Sequence, residues 1–205
     1  MSTHRIPIGL KILLGLWLAV WIPIYWIGHG PANFLWFCDL ANILIAIAIW
    51  IESPLLLSSQ AVGVLLIQIL WTIDALGRWV LGTHLIGGTE YMFDEATPLT
   101  LRLVSLFHVA TPPLLIWGLS RLGYDRRGLR LQSVLAVAVM PISWLVGQER
   151  NLNWTWSPFG LDQTLLPPLI YLPVAIVALI LVVYVPTHLV LRRLFRSADR
   201  SYRSA

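Results

Sequence analysis

Charged residues are scarce in this 205-residue chain, where Asp, Glu, Lys and Arg together make up only 12%. A soluble globular domain has about a quarter of its residues charged. Hydrophobic residues make up 58%, and the mean hydropathy is +0.76. Because so few charges could not cover a water-facing surface, lipid must be the solvent for most of the chain. The composition therefore excludes a soluble protein.

Cysteine is almost absent, since Cys38 is the only one in the chain. A single cysteine excludes an intrachain disulfide, a CxxC redox pair and a cysteine-based zinc cluster. Phosphate-binding glycine loops and the HExxH and GxSxG motifs are absent as well. Only His108 falls clearly within an apolar run, and His188 comes at the far end of the last run. We therefore predict no metal and no cofactor.

Long apolar runs are what the chain has in abundance. About 20 apolar residues in a helix cross the roughly 30 Å of hydrocarbon in a bilayer. The runs are apolar on all faces, whereas the strands of a membrane barrel alternate in polarity. The sequence predicts an all-α, polytopic transmembrane helical bundle of about six spans. The bundle forms one domain over residues 1–205, with spans near 8–27, 33–51, 61–81, 99–119, 133–147 and 165–187.

Basic residues concentrate at alternate ends of the predicted spans. One set comprises Arg5, Lys11, Arg121, Arg126, Arg127, Arg130, Arg192, Arg193, Arg196, Arg200 and Arg203. Placing both termini in the cytoplasm puts this whole set inside, as the positive-inside rule requires, and leaves Arg78, Arg102 and Arg150 outside. We therefore predict a multi-pass protein of a bacterial inner (cytoplasmic) membrane. Topology also explains the net charge of +4, so membrane lipids are expected as partners and nucleic acid is not.

Several ionisable side chains fall within the spans, where each costs about 2.5–3.5 kcal/mol on insertion scales. They lie in the outer half of spans two to four. The loop between spans three and four adds two more polar residues. The candidate ligand-binding residues are Asp39, Asp74, Arg78, Arg102, His108, Tyr91 and Asp94. The sequence therefore predicts an outward-facing polar pocket in the outer half of the bilayer.

Simpler structural roles are available to the same residues. Asp74 and Arg78 are spaced i, i+4 and could form an intrahelical ion pair. Arg102 could extend to the headgroups, and Tyr91 and Asp94 could shape or cap their loop. Asp39 could bond a neighbouring helix. These alternatives remain open at the level of sequence.

The stretch "LVSLFHVATPPLL" at 103–115 places His108 one turn before two prolines. Pro112 cannot donate to the carbonyl of His108, and Pro113 likewise frees the carbonyl of Val109. The sequence predicts a bend just beneath His108, with free carbonyls that need a partner, water or ligand. Ser105 is best explained by a hydrogen bond to its own helix backbone.

The segments "NFLWFCDLANILIAIAIW", "YMFDEATPLTLRLVSLFHV" and "RLGYDRRGLRLQ" resemble parts of uncharacterised bacterial polytopic integral membrane proteins. That resemblance implies a fold and a location but no activity. Ser105, His108 and the intramembrane aspartates also resemble features of the zinc-dependent seven-span hydrolases of the alkaline ceramidase and adiponectin-receptor type. Those proteins carry an HxxxH pair in a late span and one more span. Both are missing here, so this second assignment is rejected.

Three functional hypotheses follow from the predicted pocket. In the first, the pocket binds or moves a small polar solute, a proton or a lipid headgroup, with His108 titrating near physiological pH. In the second, the protein is an enzyme acting on a lipid-borne substrate, with His108 as general acid or base oriented by Asp74 or Asp39. In the third, it is a subunit that packs against other membrane proteins, and its polar residues join helices. The enzyme requires His108 within hydrogen-bond reach of a carboxylate, directly or through one water.

Overall fold

The computed structural model describes residues 6–161 and 163–195, and every regular element within them is helical. The all-α prediction is therefore confirmed. Five helical segments are long and apolar enough to cross a membrane, and α2 is a shorter apolar helix. The chain is a multi-pass helical membrane protein. Several predicted anchors and one predicted loop acid lie outside the described residues: Arg5, Asp162, Arg196, Arg200 and Arg203.

The helices follow the apolar runs, and half of the eight in the described residues end at a glycine. They are α1 (Ile8–His29), α2 (Phe37–Trp50), α3 (Pro54–Leu81), α4 (Leu99–Val104), α5 (Phe107–Leu122), α6 (Gly128–Val146), α7 (Pro168–Ala178) and α8 (Val185–Leu194). A π-helical turn, Leu179–Tyr184, joins α7 to α8, so that these form one continuous span. Gly82, which ends α3, has a φ of 75°, a left-handed conformation that favours glycine.

Several helices begin a few residues away from the predicted start, and local hydrogen bonds or turns account for two of them. A 3-10 turn occupies Pro31–Leu35, so α2 begins only at Phe37 and has 14 residues. At 1.5 Å per residue α2 is about 21 Å long, shorter than the hydrocarbon layer. By contrast, α3 begins at Pro54, before the predicted start at 61, because the side chain of Ser53 caps its N-terminus by accepting from the Leu56 amide at 3.2 Å.

The two ends of the bundle differ in character. We call the end that contains residues 30–36, 82–98 and 147–167 the loop-rich end. The opposite end contains residues 51–53 and 123–127 and the arginines of α5, α6 and α8, and we call it the arginine end. Each helix span therefore connects a face of long polar loops to a face of short basic turns.

Helix α3 is the centre of the bundle and packs against α2, α5, α6 and α8. Its packing depends on small residues, since a Cβ added to Gly128 of α6 would lie 2.8 Å from the backbone carbon of Ser58. A Cβ on Gly118 of α5 would lie 2.8 Å from the side chain of Leu57. Small residues that allow such close approach are typical of helix contacts in membranes. Buried apolar side chains of these helices form the main core around Leu57, Leu115 and Leu119.

At the arginine end, polar side chains join helices to turns. Lys11 is buried and forms an ion pair with Glu52, with Nζ 2.7 Å from Oε1. The hydroxyl of Tyr124 lies 2.6 Å from Nδ1 of His188 in α8. The exposed surface of the spans is by contrast apolar: Ile27, for example, exposes 85% of its side chain. Such a surface is compatible with lipid rather than water as the solvent.

Candidate functional site

The helix that carries His108 is interrupted before that residue, not after it. Helix α4 ends at Val104 and α5 begins at Phe107, and α5 is helical through Pro112 and Pro113. The irregular step is therefore at 105–106, on the loop-rich side of His108, whereas the expected bend lay beneath it. The amide of His108 donates to the carbonyl of Ser105 at 3.2 Å, three residues back, as in a tighter 3-10 turn.

Ser105 sits at this interruption and joins α4 to α1. Its hydroxyl donates to the Leu101 carbonyl at 2.8 Å, the backbone bond that the sequence predicted. The same oxygen lies 2.6 Å from the hydroxyl of Tyr25 in α1. Because a serine hydroxyl has one proton, Tyr25 is the donor in this second bond. Ser105 is fully buried, so the bond lies inside the bundle.

His108 is buried, with 7% of its surface exposed, and its ring stacks on two aromatic neighbours. The ring centroid is 4.5 Å from that of Trp71 in α3 and 4.2 Å from that of Phe107. Its Nδ1 has no hydrogen-bond partner in the part of the chain that the structure describes. Within the described residues, the His108 ring forms no hydrogen bond with Asp39 or Asp74. The acid–base hypothesis requires this direct contact unless one water bridges the two groups.

Asp39 is buried near the start of α2 and accepts a 2.6 Å hydrogen bond from the side chain of Asn33 in the 3-10 turn. Tyr91 approaches this region from the 82–98 loop. Burial raises the pKa of the Tyr91 hydroxyl. A hydrogen bond with the Ser105 hydroxyl lowers this pKa, whereas the negative charge of Asp39 raises it further. The structure therefore brings two of the predicted residues, Asp39 and Tyr91, into one region beside Ser105.

Asp74 anchors a loop instead of pairing with Arg78. Its Oδ1 accepts hydrogen bonds from the amides of Ile86 at 2.6 Å and Gly87 at 2.9 Å. Its Oδ2 accepts from the Thr89 hydroxyl and lies 3.0 Å from Nδ1 of His84. The carboxylate is fully buried by these contacts. All of its partners come from residues 84–89, which Asp74 thereby holds against the end of α3.

The remaining predicted residues do not converge on one cavity. Arg78 donates to the carbonyl of Gly82 and lies 5.9 Å from the ring centroid of Phe93. The Nε of Arg102 is buried without a partner. Asp94 is exposed and accepts from the amide of Ala96 at 2.9 Å, which caps a turn in its loop. Within the described residues, Asp74 and Arg78 therefore do not form the ion pair that their spacing suggested. Each makes its own set of contacts with other groups.

Asn153 anchors the second long loop in a comparable way. Its side-chain oxygen accepts from the amide of Phe37 at 2.9 Å, and its nitrogen donates to the carbonyl of Leu35 at 2.7 Å. The nitrogen also donates to the hydroxyl of Ser143 in α6 at 3.0 Å. Asn153 has a φ of 52°, a left-handed conformation that asparagine tolerates better than most residues. One buried side chain therefore joins the 147–167 loop to α2 and α6.

A groove of 440 Å³ lies between the two anchored loops at the loop-rich end. Its walls are aromatic and its floor contains glycine backbone. The lining residues are Trp36, Ile86, Gly87, Gly88, Glu90, Arg150, Asn151, Trp154 and Phe159. None of the seven predicted ligand-binding residues is among them.

The groove has one side chain of each charge. Nη1 of Arg150 donates to the carbonyl of His29 at 2.8 Å, which leaves other guanidinium N–H groups unused. Glu90 accepts from the amide of Gly88 at 2.7 Å. Within the described residues, neither Arg150 nor Glu90 forms an ion pair with the other or with a third group. The sequence indicated these loops as polar, but only the tertiary anchors show which of their residues face each other.

No set of three or more His, Cys, Asp or Glu side chains in the described part of the chain is arranged to hold a metal ion. No protein-family model, curated protein or solved structure matches the chain.

Proposed function

We propose that the loop-rich end faces away from the cytoplasm of a bacterial cell, with both termini inside. The described basic residues at the arginine end include Lys11, Arg121, Arg126, Arg127, Arg130, Arg192 and Arg193. Only Arg78, Arg102 and Arg150 lie toward the loop-rich end. Lys and Arg favour cytoplasmic loops in bacterial inner-membrane proteins, which supports this orientation.

We propose further that the groove binds the zwitterionic headgroup of a membrane lipid. The observation that carries this proposal is the presence of Arg150 and Glu90 on one groove without an ion pair between them. A headgroup with both a phosphate and an ammonium group complements both side chains at once. The guanidinium suits the phosphate through parallel N–H···O bonds, and the carboxylate suits the ammonium.

The aromatic walls support a lipid rather than a free solute. Trp36 and Trp154 pack edge to face with centroids 6.0 Å apart, and Phe159 packs on Trp154 at 4.5 Å. Tryptophan side chains are enriched at the level of the headgroups in a bilayer. Phe159 is 62% exposed and is followed by the exposed Leu161 and Leu165. This apolar surface beside the groove offers contact to the acyl chains of a lipid whose headgroup occupies the groove.

Native mass spectrometry of the purified protein tests the proposal. Bound lipid is measured during titration with phosphatidylethanolamine, phosphatidylcholine and phosphatidylglycerol for the wild type, Arg150→Gln and Glu90→Gln. We expect the wild type to prefer the two zwitterionic lipids over phosphatidylglycerol. Arg150→Gln should weaken binding of all three about tenfold, which corresponds to about 1.4 kcal/mol. Glu90→Gln should abolish the preference for the zwitterionic lipids.

Glu149→Gln is the matched control for Glu90→Gln, because Glu149 is an exposed carboxylate in the other loop, 147–167, and does not line the groove. It changes the net charge by the same amount as Glu90→Gln and should leave lipid preference unchanged. Equal effects of Glu90→Gln and Glu149→Gln would show that bulk charge, not the groove, determines binding. Unchanged binding in Arg150→Gln would overturn the proposal.

A further inference from the structure

Gln68, in the middle of α3, is fully buried, and among the described residues neither its side-chain oxygen nor its side-chain nitrogen has a hydrogen-bond partner. Its backbone carbonyl accepts from the hydroxyl of Thr72 at 2.8 Å, so only the carboxamide is unsatisfied. Buried polar groups in proteins almost always have a partner, whether a protein group or an ordered water. A carboxamide with all its bonds unmade inside an apolar bundle therefore calls for a ligand.

His108 has the second unsatisfied group on the facing helix. Its Nδ1 is buried without a partner, while its ring stacks on Trp71. Trp71 follows Gln68 by one helical turn on α3, so the two side chains share a face. The unsatisfied nitrogen and the unsatisfied carboxamide are therefore neighbours along one packed helix pair.

The register between α3 and α5 places these groups at one level. Trp71 of α3 stacks on His108 of α5. Nearer the N-terminus of α3, Leu57 contacts Gly118, which lies nearer the C-terminus of α5. The two helices are therefore antiparallel, and Gln68 lies level with residues 108–111 of α5. Thr111, on the same face one turn after His108, is buried and has its hydroxyl bonded to the carbonyl of Phe107 at 2.8 Å. The unsatisfied groups at this level are Gln68 and His108.

We infer that α3 and α5 enclose a binding site for water between Gln68 and His108. We take the ligand to be neutral, because the α3 and α5 side chains placed at this level, Gln68, Trp71, His108 and Thr111, include no carboxylate, lysine or arginine to act as a counterion. It must also donate and accept, since the Gln68 oxygen needs a donor and its nitrogen needs an acceptor. Water meets both requirements. The site is separate from the groove and shares none of its lining residues.

A double-mutant cycle tests whether one ligand joins the two side chains. Thermal unfolding in detergent is compared for the wild type, Gln68→Leu, His108→Phe and the double variant. A shared water makes the effects non-additive, because each single variant leaves the other side chain without its partner. We expect the double variant to lose less in melting temperature than the two single losses combined. Additive losses would overturn the inference, as would an increase in melting temperature for Gln68→Leu alone.

Gln60→Leu is the matched control on the same helix. Gln60 is also buried, but its side-chain nitrogen donates to the hydroxyl of Ser59 at 2.9 Å. Its effect should be additive with that of His108→Phe. Coupling as large as that of Gln68→Leu would show a general loss of packing instead of a shared ligand.

A measurement on the intact wild type covers the case in which a variant does not fold. The ¹⁵N chemical shift of Nδ1 in labelled His108 distinguishes a hydrogen-bonded ring nitrogen from a free one. We expect the bonded value, with contact to exchangeable water protons. A free Nδ1 without such contact would overturn the inference.

Discussion

The carboxylate of Asp74 accepts a 2.9 Å hydrogen bond from the backbone amide of Gly87, across the turn that ends α3. Together with the bonds from Ile86, Thr89 and His84, this contact makes one buried side chain the anchor of a whole loop. Because residues 86–88 also line the groove, the position of the groove wall depends on Asp74.

Asp74→Asn should loosen that loop. An asparagine keeps one oxygen for the Ile86 and Gly87 amides, but its NH₂ group cannot accept from the Thr89 hydroxyl. We expect a loss of about 1–3 kcal/mol in the free energy of unfolding, the usual cost of a buried group left unsatisfied. Limited proteolysis should cut the 82–98 loop faster. Asp94→Asn is the control, since Asp94 is exposed and bonds only its own turn; equal proteolysis of both variants would contradict the prediction.

Asn153→Ala should release the second loop. The substitution removes three hydrogen bonds, to Phe37, Leu35 and Ser143, and places an alanine at a φ of 52°. At about 0.5–1.5 kcal/mol for each bond, we expect a loss of roughly 2–4 kcal/mol in the free energy of unfolding. Asn153→Gly separates the causes, because it relieves the backbone conformation without restoring the bonds. If Asn153→Gly proved as stable as the wild type, the side-chain bonds would not be the anchor.

Gly128→Ala should destabilise the contact between α3 and α6. A Cβ there would lie 2.8 Å from the backbone carbon of Ser58 and 2.9 Å from the amide nitrogen of Ser59, neither of which can rotate away. We expect a loss of about 1–3 kcal/mol, the usual cost of overpacking, as a lower melting temperature in detergent. The control is Gly9→Ala, since nothing lies within 4 Å of a Cβ at Gly9. That variant should be neutral or slightly stabilised because alanine favours helix.

Lys11 and Glu52 should show strong energetic coupling. Their side chains are only 5% and 18% exposed, so removal of the Glu52 carboxylate leaves the ammonium group of Lys11 buried without this partner. Breaking a buried pair typically costs about 3–5 kcal/mol, and partial exposure of Glu52 should reduce this. A double-mutant cycle with Lys11→Met and Glu52→Gln, read by chemical denaturation, measures the coupling. The pair of Asp125 and Arg127 is the comparison, because the side chain of Arg127 is 71% exposed, and it should couple by less than about 1 kcal/mol; equal coupling energies would refute this account.

The helices could be predicted from the sequence because apolar runs of membrane length have few alternative structures. Their ends could not, since the 3-10 turn at Pro31–Leu35 and the Ser53 cap depend on local hydrogen bonds. The break near His108 was expected at Pro112 from proline's missing donor. It occurs at 105–106 instead, where the hydroxyl of Ser105 bonds both Leu101 and Tyr25.

The site was harder to predict than the fold because its contacts join distant segments. Spacing favoured Arg78 as the partner of Asp74, but four donors from the following loop occupy that carboxylate. Arg150 and Glu90 were visible only as members of polar loops. Their common groove depends on Asp74, whose partners lie in the following loop, and on Asn153, whose partners Leu35 and Phe37 are more than 100 residues away in the sequence.

The close contact at Gly128 has a mechanical consequence for the groove. One wall is held by Asp74 on α3, and the other is tied through Asn153 to Ser143 on α6. These two helices run parallel, and their backbones approach closely at Ser58, near the arginine end. That contact lies about 24 Å along α3 from Asp74, so a rotation of about 5° there moves the wall by about 2 Å. A substitution that changes the helix crossing at Gly128 should therefore also displace the groove wall at the opposite end of the protein.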